Sequence, residues 1–558
     1  MQRTTESTAA DNTVSSTLFR VPPPLNTLGS SVLGASQETT VVPGCPIQCA
    51  MSQNRLVHLV SCMATALVVG GWGLNSVAQS LPSNTPGGIT KLNHIIFLAQ
   101  ENRSLDHYFG ELRQYWADNG YADRSFDGLR QFNPASGLPP YYGPPPTNPG
   151  CDPAFPPPKD CTIDGNSPKI SSFELITQCT ENTSPSWNES HVDWDYYDPM
   201  GKARAKLNGF VYTAAHDARA IGFYDKDGIR AMGYYDGTDL NYYYFMASNF
   251  ATSDRWFTPA MTRTHPNREY LVAATSQGDA YPIGTDSGDK NLLTATTIFQ
   301  ELQNAGVSWK IYVNPTNTGC NGPPYDPACL LQTSYIKYFQ WGQTIPKKYP
   351  KNIGTIGVTN SDFENDLRNG TLPAVAQIEP ATDAGLDEHP SSSDSSPSRT
   401  QNGALYVSEI INSVMSSSSW KDSAFILTYD EAGGIYDHVS PHAAVSPDGI
   451  KPKDLLPGDI CNKGQTGPTC NFVYTGYRVP LIVISPYTKK HFVSHTAADN
   501  TAILKLIETR FNLPSLTKRD AAQMNMTEFF DFAHPAWLTP PTPPVQNTAD
   551  ACYLNKLP

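Results

Sequence analysis

Short apolar runs alternate with stretches of helical periodicity from about residue 90 onward. The run His-Ile-Ile-Phe-Leu-Ala at 94–99 is rich in β-branched and large apolar residues, which predicts a buried strand. The same criteria predict further strands at 307–313, 375–378, 424–429 and 479–484, and helices at 239–250, 294–304 and 501–511. Pro480 indicates that the last strand starts at an edge of the sheet or just inside its first residue. The alternation predicts an α/β domain.

Polar side chains follow two of these strands directly. Glu101 and Asn102 come after the first, and Asp430 and Glu431 come after the run at 424–429. Ligands of open α/β sheets collect at the carboxyl ends of strands, and adjacent carboxylates repel each other unless a cation or a proton neutralises them. Together the four residues offer oxygen ligands for a divalent metal. The alternative is a pair of solvated loops, with Asn102 or Ser104 acting as a helix cap.

A candidate nucleophile lies in the segment Thr-Arg-Thr-His-Pro-Asn-Arg at 262–268. A threonine hydroxyl is weakly nucleophilic until a base or a metal activates it. Beside a divalent ion, Thr264 could attack a phosphorus atom while the ion neutralises charge on the phosphoryl oxygens. Taken alone, the same segment predicts only a turn in which Thr264 caps a helix.

Composition sets outer limits on fold and partners. The chain has 558 residues with 39% hydrophobic and 16% charged residues, together with 48 Pro and 40 Gly, so a large core and much loop are expected. The net charge of −13 argues against a nucleic-acid partner and gives no electrostatic attraction to anionic lipid. A Pro-rich insertion near 135–185 is long enough to shape or cover a site.

The first 79 residues are not predicted to belong to the folded domain. Residues 1–50 are rich in Ser, Thr and Pro and are not expected to fold alone. Residues 51–79 have a positive start at Arg55, an apolar middle and a small-residue end, which predicts a secretory signal peptide. We therefore expect translation to begin at Met51, residues 1–50 to be a gene-model extension, and the protein to be secreted. A membrane anchor is the alternative, although the run is short and weak for one.

The cysteines and glycosylation sequons agree with an oxidising, extracellular location. Eight cysteines follow the signal segment, an even number, and six of them form close pairs in sequence. The expected disulfides are Cys151–Cys161, Cys320–Cys329, Cys461–Cys470 and the long-range Cys179–Cys552. A zinc cluster is the alternative, but no C-x-x-C spacing supports it. Sequons occur at Asn102, Asn182, Asn188, Asn369 and Asn525, and glycosylation of the first would contradict a role in a site.

Three consecutive tyrosines lie in the predicted helix at 239–250. The cluster Tyr242-Tyr243-Tyr244 could hold a choline-like cation against its rings. Aromatic residues at helical spacing are more often part of the core, and this alternative stays open.

The segments Gln-Glu-Asn-Arg-Ser-Leu-Asp-His-Tyr-Phe-Gly, Thr-His-Pro-Asn-Arg and Thr-Tyr-Asp-Glu-Ala-Gly-Gly-Ile-Tyr-Asp-His-Val resemble one family in combination. This is the phosphoesterase family of bacterial phospholipases C and plant non-specific phospholipases C, which includes acid phosphatases and is related to the alkaline phosphatase superfamily. The resemblance continues through Asp-Glu-His-Pro at 387–390 and spans about 90–533. It implies an alkaline-phosphatase-like α/β sandwich, with a central, mostly parallel sheet flanked by helices. A single catalytic domain would cover 90–540, followed by a tail at 541–558.

The resemblance also implies roles for individual residues. The expected ligands of one divalent metal (Ca²⁺, Mg²⁺, Mn²⁺ or Zn²⁺) are Glu101, Asn102, Asp430 and Glu431. Thr264 would be the nucleophile, and His389 and His191 would flank the phosphate, with His389 the first choice for the general acid. Thr262 and Arg263 replace the usual Gly-Pro, and Arg263 and Asn267 are candidates for binding substrate. Asp437 and His438 are expected to hold the turn at 430–431.

The implied reaction is a double displacement through a phosphothreonine intermediate. The leading hypothesis is a secreted, metal-dependent phospholipase C that acts on glycerophospholipids and contacts a membrane surface transiently. An acid phosphatase acting on phosphomonoesters is the alternative, because the same nucleophile and metal serve both. A catalytically inactive, surface-binding protein is a third, which retention of Thr264 and of the Asp-Glu pair argues against.

Overall fold

The computed structural model describes residues 88–284, 291–392, 397–462 and 464–557, without the side chains of residues 317 and 318. The predicted extension at 1–50 and the predicted signal peptide at 51–79 lie outside these residues. The boundaries proposed for the catalytic domain and the tail stay predictions. No helix among the described residues combines the length and the apolar character that a membrane crossing requires.

One large sheet organises the described part of the chain. The strands of the fold are β1 (His94–Gln100), β2 (Thr147–Pro149), β3 (Lys169–Ser171), β4 (Phe173–Glu174), β5 (Gly233–Tyr234), β6 (Ala251–Ser253), β7 (Trp256–Phe257), β8 (Trp309–Val313), β9 (Ile353–Thr355), β10 (Val375–Ile378), β11 (Ser423–Tyr429), β12 (Ile482–Ile484), β13 (Phe492–Ser494) and β14 (Ala498–Asp499). Eight of them form the sheet in the order β13-β6-β12-β11-β1-β10-β8-β9. Within that sheet β12 is antiparallel to its neighbours β11 and β6, and the other pairings are parallel.

Helices occupy the connections between the strands. They are α1 (Leu105–Phe109), α2 (Leu112–Asp118), α3 (Trp187–Trp194), α4 (Phe210–Ile221), α5 (Asn241–Asn249), α6 (Thr264–Ala273), α7 (Ile298–Asn304), α8 (Pro327–Leu330), α9 (Ile345–Lys348), α10 (Asp362–Asn369), α11 (Thr400–Ser416), α12 (Thr501–Phe511) and α13 (Lys518–Ala521). The predicted α/β architecture with a mostly parallel central sheet is therefore confirmed.

The two central strands, β1 and β11, set the geometry of the site. They pair in parallel register along their whole length, from His94 beside Ser423 to Gln100 beside Tyr429. Both are buried nearly throughout, which explains why each is a continuous apolar run and not an alternating one. Each fully buried large apolar side chain in them contributes about 1.5–3 kcal/mol relative to an exposed one. Because the registers match, the residues after the two strands leave the sheet at the same level.

Two predicted elements begin three or four residues later in the structure than the sequence predicts. The strand predicted from 479 begins at Ile482, after Pro480, and lies inside the sheet between β6 and β11. The edge position inferred from Pro480 was wrong, because the proline precedes the ladder and removes no hydrogen bond from it. The helix predicted from 294 begins at Ile298, where the Thr297 side chain caps it by accepting a hydrogen bond from the backbone of Gln300.

All four predicted disulfides are present, namely Cys151–Cys161, Cys320–Cys329, Cys461–Cys470 and Cys179–Cys552. With these thiols paired, the zinc alternative for them is excluded. The long-range disulfide holds the C-terminal segment against the loop before α3. There the backbone N–H of Gln178 donates to Ala551 O over 2.9 Å.

The tyrosine cluster on α5 belongs to the core. The rings of Tyr242, Tyr243 and Tyr244 are buried. Their hydroxyls donate to Asn412, to Glu388 and to the backbone oxygen of Tyr235, respectively. The core alternative is confirmed, and these rings are not open to a choline-like cation.

Candidate active site

The ends of β1 and β11 bring the predicted acidic quartet together. The backbone N–H of Asp430 donates to Gln100 O over 3.0 Å, which continues the pairing of the two strands to their last residues. Asn102 then turns with a φ of 61°, and its backbone N–H donates to Asp430 Oδ1 over 3.3 Å. Glu101 and Glu431 are buried beside this turn. Asn102 is only 3% exposed, so its sequon offers no accessible acceptor for a glycan in the folded chain.

A glycine turn after β11 holds Glu431 in place. The backbone N–H of Gly433 donates to Glu431 Oε2 over 2.7 Å. Gly433 has a φ of 72°, and a Cβ at this position would lie 2.5 Å from the backbone oxygen of Asn102. Only glycine fits both the left-handed conformation and the close approach of the two loops.

A buried arginine on α6 joins two members of the quartet. The Nη2 atom of Arg268 lies 2.7 Å from Glu101 Oε1, and its Nε atom lies 3.2 Å from Asp430 Oδ2. Burial is the main reason that the pKa of Glu101 lies well above its usual range, with Arg268 opposing the shift. Burial, followed by the charge of Asp430, also raises the pKa of Glu431. One guanidinium thus offsets only part of the negative charge that three buried carboxyl groups would carry.

The remaining oxygens of the quartet fit a hard divalent cation. Asn102 Oδ1 and Glu431 Oε1 are buried without a hydrogen-bond partner among the described residues. Buried oxygens of this kind require a donor or a cation, and carboxylate and amide oxygens are ligands that Ca²⁺, Mg²⁺ and Mn²⁺ prefer. Glu101 also forms a compact potential ligand group with Asp387 and His389, whose ligand atoms lie within 4.8 Å of one another. A metal is therefore consistent with the residues present, and its identity is not specified by them.

Thr264 lies at the N-terminus of α6, where Arg263 is the cap residue. Its hydroxyl Oγ1 lies 3.4 Å from Glu101 Oε2. The helix start favours an anion at this point, because unpaired backbone N–H groups and the helix dipole both face it. The predicted nucleophile is thus next to the acidic quartet, although the two come from separate parts of the chain.

His389 approaches the same carboxylate from a third segment. Its Nε2 atom lies 3.7 Å from Glu101 Oε2, and its Nδ1 atom lies 2.7 Å from Asp387 Oδ2. Burial favours the neutral ring, but the charge of Asp387 outweighs this effect and raises the pKa of His389. The ring is oriented by Asp387 and turns its other nitrogen toward Glu101.

Two other predicted residues, His191 and Asn267, make contacts that differ from the expectation. Both ring nitrogens of His191 face backbone carbonyls, of Trp187 at 2.6 Å and of Thr469 at 3.0 Å, so neither is available to a phosphate oxygen. The Asn267 side chain accepts from Ala260 N over 2.9 Å and donates to Thr262 O over 2.7 Å. It braces the loop before Thr264 and gives no support to direct substrate binding.

Arg263 packs its guanidinium over the Tyr281 ring, with 6.0 Å between the guanidinium carbon and the ring centroid. Burial lowers the pKa of Arg263, and the charges of Glu189 and Glu431 oppose that shift. The charge of Arg263 therefore interacts with that of Glu431, a member of the quartet. Its proposed contact with a substrate phosphate stays a prediction.

Comparison with known protein families identifies the family of the chain. The model of the Phosphoesterase family matches residues 92–514. The chain belongs to the Phosphoesterase family. As a phosphoesterase it is a phosphoric ester hydrolase, which confirms the predicted enzyme class.

Proteins of similar sequence occur in bacteria and plants. The chain is 30% identical over 495 residues to phospholipase C B of Mycobacterium tuberculosis, covering 85% of this chain and 83% of that protein. It is 26% identical to non-specific phospholipase C4 of Arabidopsis thaliana, covering 78% and 71%. Among solved structures it resembles murine ectonucleotide pyrophosphatase/phosphodiesterase 5, at 12% identity and a TM-score of 0.30, covering 52% of this chain and 95% of that one.

The sequence alone does not predict the roles of Arg268 or of the pair Asp387 and Glu388 in the candidate site. Arg268 belongs to the segment at 262–268, and its pairing with Glu101 depends on how α6 packs on the sheet. Asp387 and Glu388 lie in the Asp-Glu-His-Pro motif, which was the available signal. Glu388 has a φ of 72° and accepts hydrogen bonds from the hydroxyls of Tyr108, Tyr243 and Tyr429. Its carboxylate anchors the loop that presents Asp387 and His389.

Asp437 and His438 form a separate ion cluster and do not contact the turn at 430–431 directly. Arg478 Nε lies 2.9 Å from Asp437 Oδ1, and Arg478 Nη2 lies 3.1 Å from Asp106 Oδ1. His438 contacts Asp106 at 2.6 Å and Asp127 at 3.1 Å. Asp106, Asp437 and His438 could geometrically hold a metal, but Arg478 already supplies the cation. The cluster ties α1 to the loops at 127 and 478.

Proposed function

We propose that the protein is a secreted, metal-dependent phospholipase C that cleaves the phosphodiester of glycerophospholipids through a phosphothreonine intermediate. The observation that carries the proposal is the position of Thr264 Oγ1, 3.4 Å from Glu101 Oε2. The same site contains a second acid–base group, His389, and two buried oxygens that have no hydrogen-bond partner in the part of the chain that the structure describes. The named relatives, all phospholipases C, favour a lipid diester over a phosphomonoester.

The cation would be held by Glu101, Asn102, Asp430 and Glu431, where it would neutralise phosphoryl charge and favour the alkoxide form of the nucleophile. The Thr264 hydroxyl attacks the phosphorus, and Glu101 Oε2 is the acceptor that faces its proton. The N-terminus of α6 attracts the phosphate oxygens to this point. Asn267 keeps the preceding loop in position.

His389 supplies the proton for the leaving group. As Thr264 bonds to phosphorus, the bond between phosphorus and the diacylglycerol oxygen breaks, and His389 Nε2 protonates that oxygen. Asp387 fixes the ring orientation and favours its protonated form. In the second step His389 accepts a proton from water, which attacks phosphorus and releases the phosphorylated headgroup and free Thr264.

Secretion is supported by the four disulfides in the described residues, which persist in oxidising compartments. N-terminal sequencing of protein recovered from culture medium tests this part of the proposal. A mature chain starting near residue 80 is expected. A secreted chain that retains residues 1–50 would contradict the predicted start at Met51.

The activity is tested with purified protein on a panel of phosphatidylcholine, phosphatidylethanolamine and phosphatidylglycerol, with p-nitrophenyl phosphate as the monoester. We expect release of diacylglycerol and of a phosphorylated headgroup from at least one lipid. Acid quenching during turnover, followed by peptide mass spectrometry, should find phosphate on Thr264. Hydrolysis of the monoester alone would refute the phospholipase C proposal in favour of a phosphatase.

A further inference from the structure

A polar pocket of about 200 Å³ opens beside the candidate active site. His265, which follows Thr264 on α6, forms part of its wall. Thr382 also lines the pocket, and its side chain hydrogen-bonds to Asp387, the partner of His389. The pocket therefore includes the neighbour of the nucleophile in sequence and a residue bound to the acid–base pair, and it has no role in the steps described above.

The chemistry of the pocket wall is mixed in charge and rich in hydrogen-bonding groups. Lys337 and Asp383 both line it, and they are close enough for their opposite charges to act on each other. The hydroxyls of Thr333, Ser334 and Thr382 also line it, but they already donate to Leu330 O, Glu379 and Asp387, so toward a ligand they can only accept. Lys337 donates to Gln332 O and has two further N–H groups. The wall can thus donate to a ligand through Lys337 and accept from it through Asp383 and the hydroxyls.

Its two tyrosines do not form an open cage for a quaternary ammonium group. The Tyr338 ring has Lys337 Nζ 5.1 Å from its centroid, and the Tyr335 ring has the Arg268 guanidinium 4.7 Å from its centroid. The His265 ring packs against both, with its centroid 4.7 Å from that of Tyr338 and 5.3 Å from that of Tyr335. Protein cations already use these aromatic faces, and a choline would also meet the positive charge of Lys337 without forming hydrogen bonds.

We infer that this pocket binds the headgroup of the substrate lipid, and that it selects an uncharged polyol such as glycerol over choline. Each hydroxyl of a polyol can donate to Asp383 and accept from Lys337. The pocket is too small and too polar for acyl chains. In the proposed mechanism the headgroup stays on phosphorus until water attacks, so a pocket next to Thr264 would hold it through both steps. This inference rests on the proposed phospholipase C function.

The test compares kcat/KM for phosphatidylglycerol and phosphatidylcholine in mixed micelles. The variants are Asp383→Asn and Lys337→Met, with Lys421→Met as a control, since Lys421 is exposed and lies just before the start of β11, away from its carboxyl end. We expect the wild type to prefer phosphatidylglycerol. Each pocket variant should lower the glycerol-to-choline ratio by about tenfold, as loss of a charged hydrogen bond predicts, and the control should keep it. Melting temperatures establish that each variant is folded.

Different outcomes distinguish a failure of the headgroup assignment from a failure of the proposed phospholipase C function. Hydrolysis of both lipids with a preference for choline, or an equal loss on both lipids in the folded pocket variants, would overturn the headgroup assignment alone. Hydrolysis of p-nitrophenyl phosphate with neither lipid cleaved would overturn the phospholipase C proposal and the headgroup assignment together.

Discussion

The Thr264 hydroxyl faces a carboxylate from a distant part of the chain, with Oγ1 3.4 Å from Oε2 of Glu101, 163 residues earlier. The same oxygen of Glu101 lies 3.7 Å from His389 Nε2. One atom at the end of β1 therefore connects the candidate nucleophile with the candidate general acid. Any change that moves the end of β1 relative to α6 should affect both.

Replacing Thr264 by alanine should lower kcat for a phosphodiester substrate by more than about 1000-fold, because the attacking oxygen is lost. The free energy of unfolding should change by no more than about 1 kcal/mol, since among the described residues the hydroxyl has one long hydrogen bond, to Glu101. Steady-state kinetics and urea unfolding measure the two quantities. Thr371→Ala, which removes an exposed hydroxyl that donates to Asp366, is the matched control. Substantial turnover by folded Thr264→Ala would contradict the proposed nucleophile.

Chelation of divalent cations should abolish activity and lower the melting temperature. The buried carboxylates of Glu101, Asp430 and Glu431 lose a counter-charge when the cation leaves, and Arg268, which contacts two of them, offsets only part of their charge. Elemental analysis before and after dialysis against a chelator gives the metal content independently of activity. Glu431→Gln should bind less metal than the wild type. An untreated, active enzyme with no bound divalent metal would exclude a metal at this site.

The strands that carry the site were predictable because their signal is local. Residues 94–99 and 424–429 are mainly apolar runs; Glu101 follows the first after one glutamine and Asp430 follows the second directly, and parallel pairing aligned the two ends. Individual hydrogen-bonding roles were not predictable in the same way. Asn267, three residues after Thr264, is one of the residues that the family resemblance made a candidate for binding substrate. Its amide turns back to the loop at 260–263, and sequence spacing does not specify that direction.

The anchoring of His389 also depends on tertiary structure. Glu388 is held by tyrosines from α1, α5 and β11, three elements separated by long stretches of chain. No local pattern connects such residues. The motif at 387–390 identified the segment, while the assignment of Asp387 to the histidine and of Glu388 to the tyrosines required the packed structure.

Replacing Arg268 by methionine should destabilise the protein by about 3–5 kcal/mol, because Glu101 and Asp430 would lose their buried cationic partner. Urea unfolding at constant metal concentration measures this loss. Arg368→Met on the exposed side of α10 is the control and should change stability by less than about 0.5 kcal/mol. Equal stabilities of the two variants would show that the arginine is not needed to balance the carboxylates.

The cluster around His438 should make stability depend on pH above neutrality. Burial opposes the charged ring, but Asp106 beside it raises the pKa of His438 to about 9. A pKa of about 9 in the folded chain and about 6.5 in the unfolded chain means that folding favours the bound proton. The stabilisation is complete below about pH 6.5 and is lost as the pH rises through 9, on the order of 3 kcal/mol in total.

The measurement for His438 is urea unfolding of the wild type and of His438→Gln between pH 6 and 10. The difference in unfolding free energy should be largest near pH 6 and should shrink as the pH rises, because only the wild type releases the proton. His534→Gln is the control, since His534 is exposed on the surface beside Asp531. A difference between wild type and His438→Gln that stays constant over this range would mean that His438 is neutral in the folded protein, and that Arg478 alone balances Asp106 and Asp437.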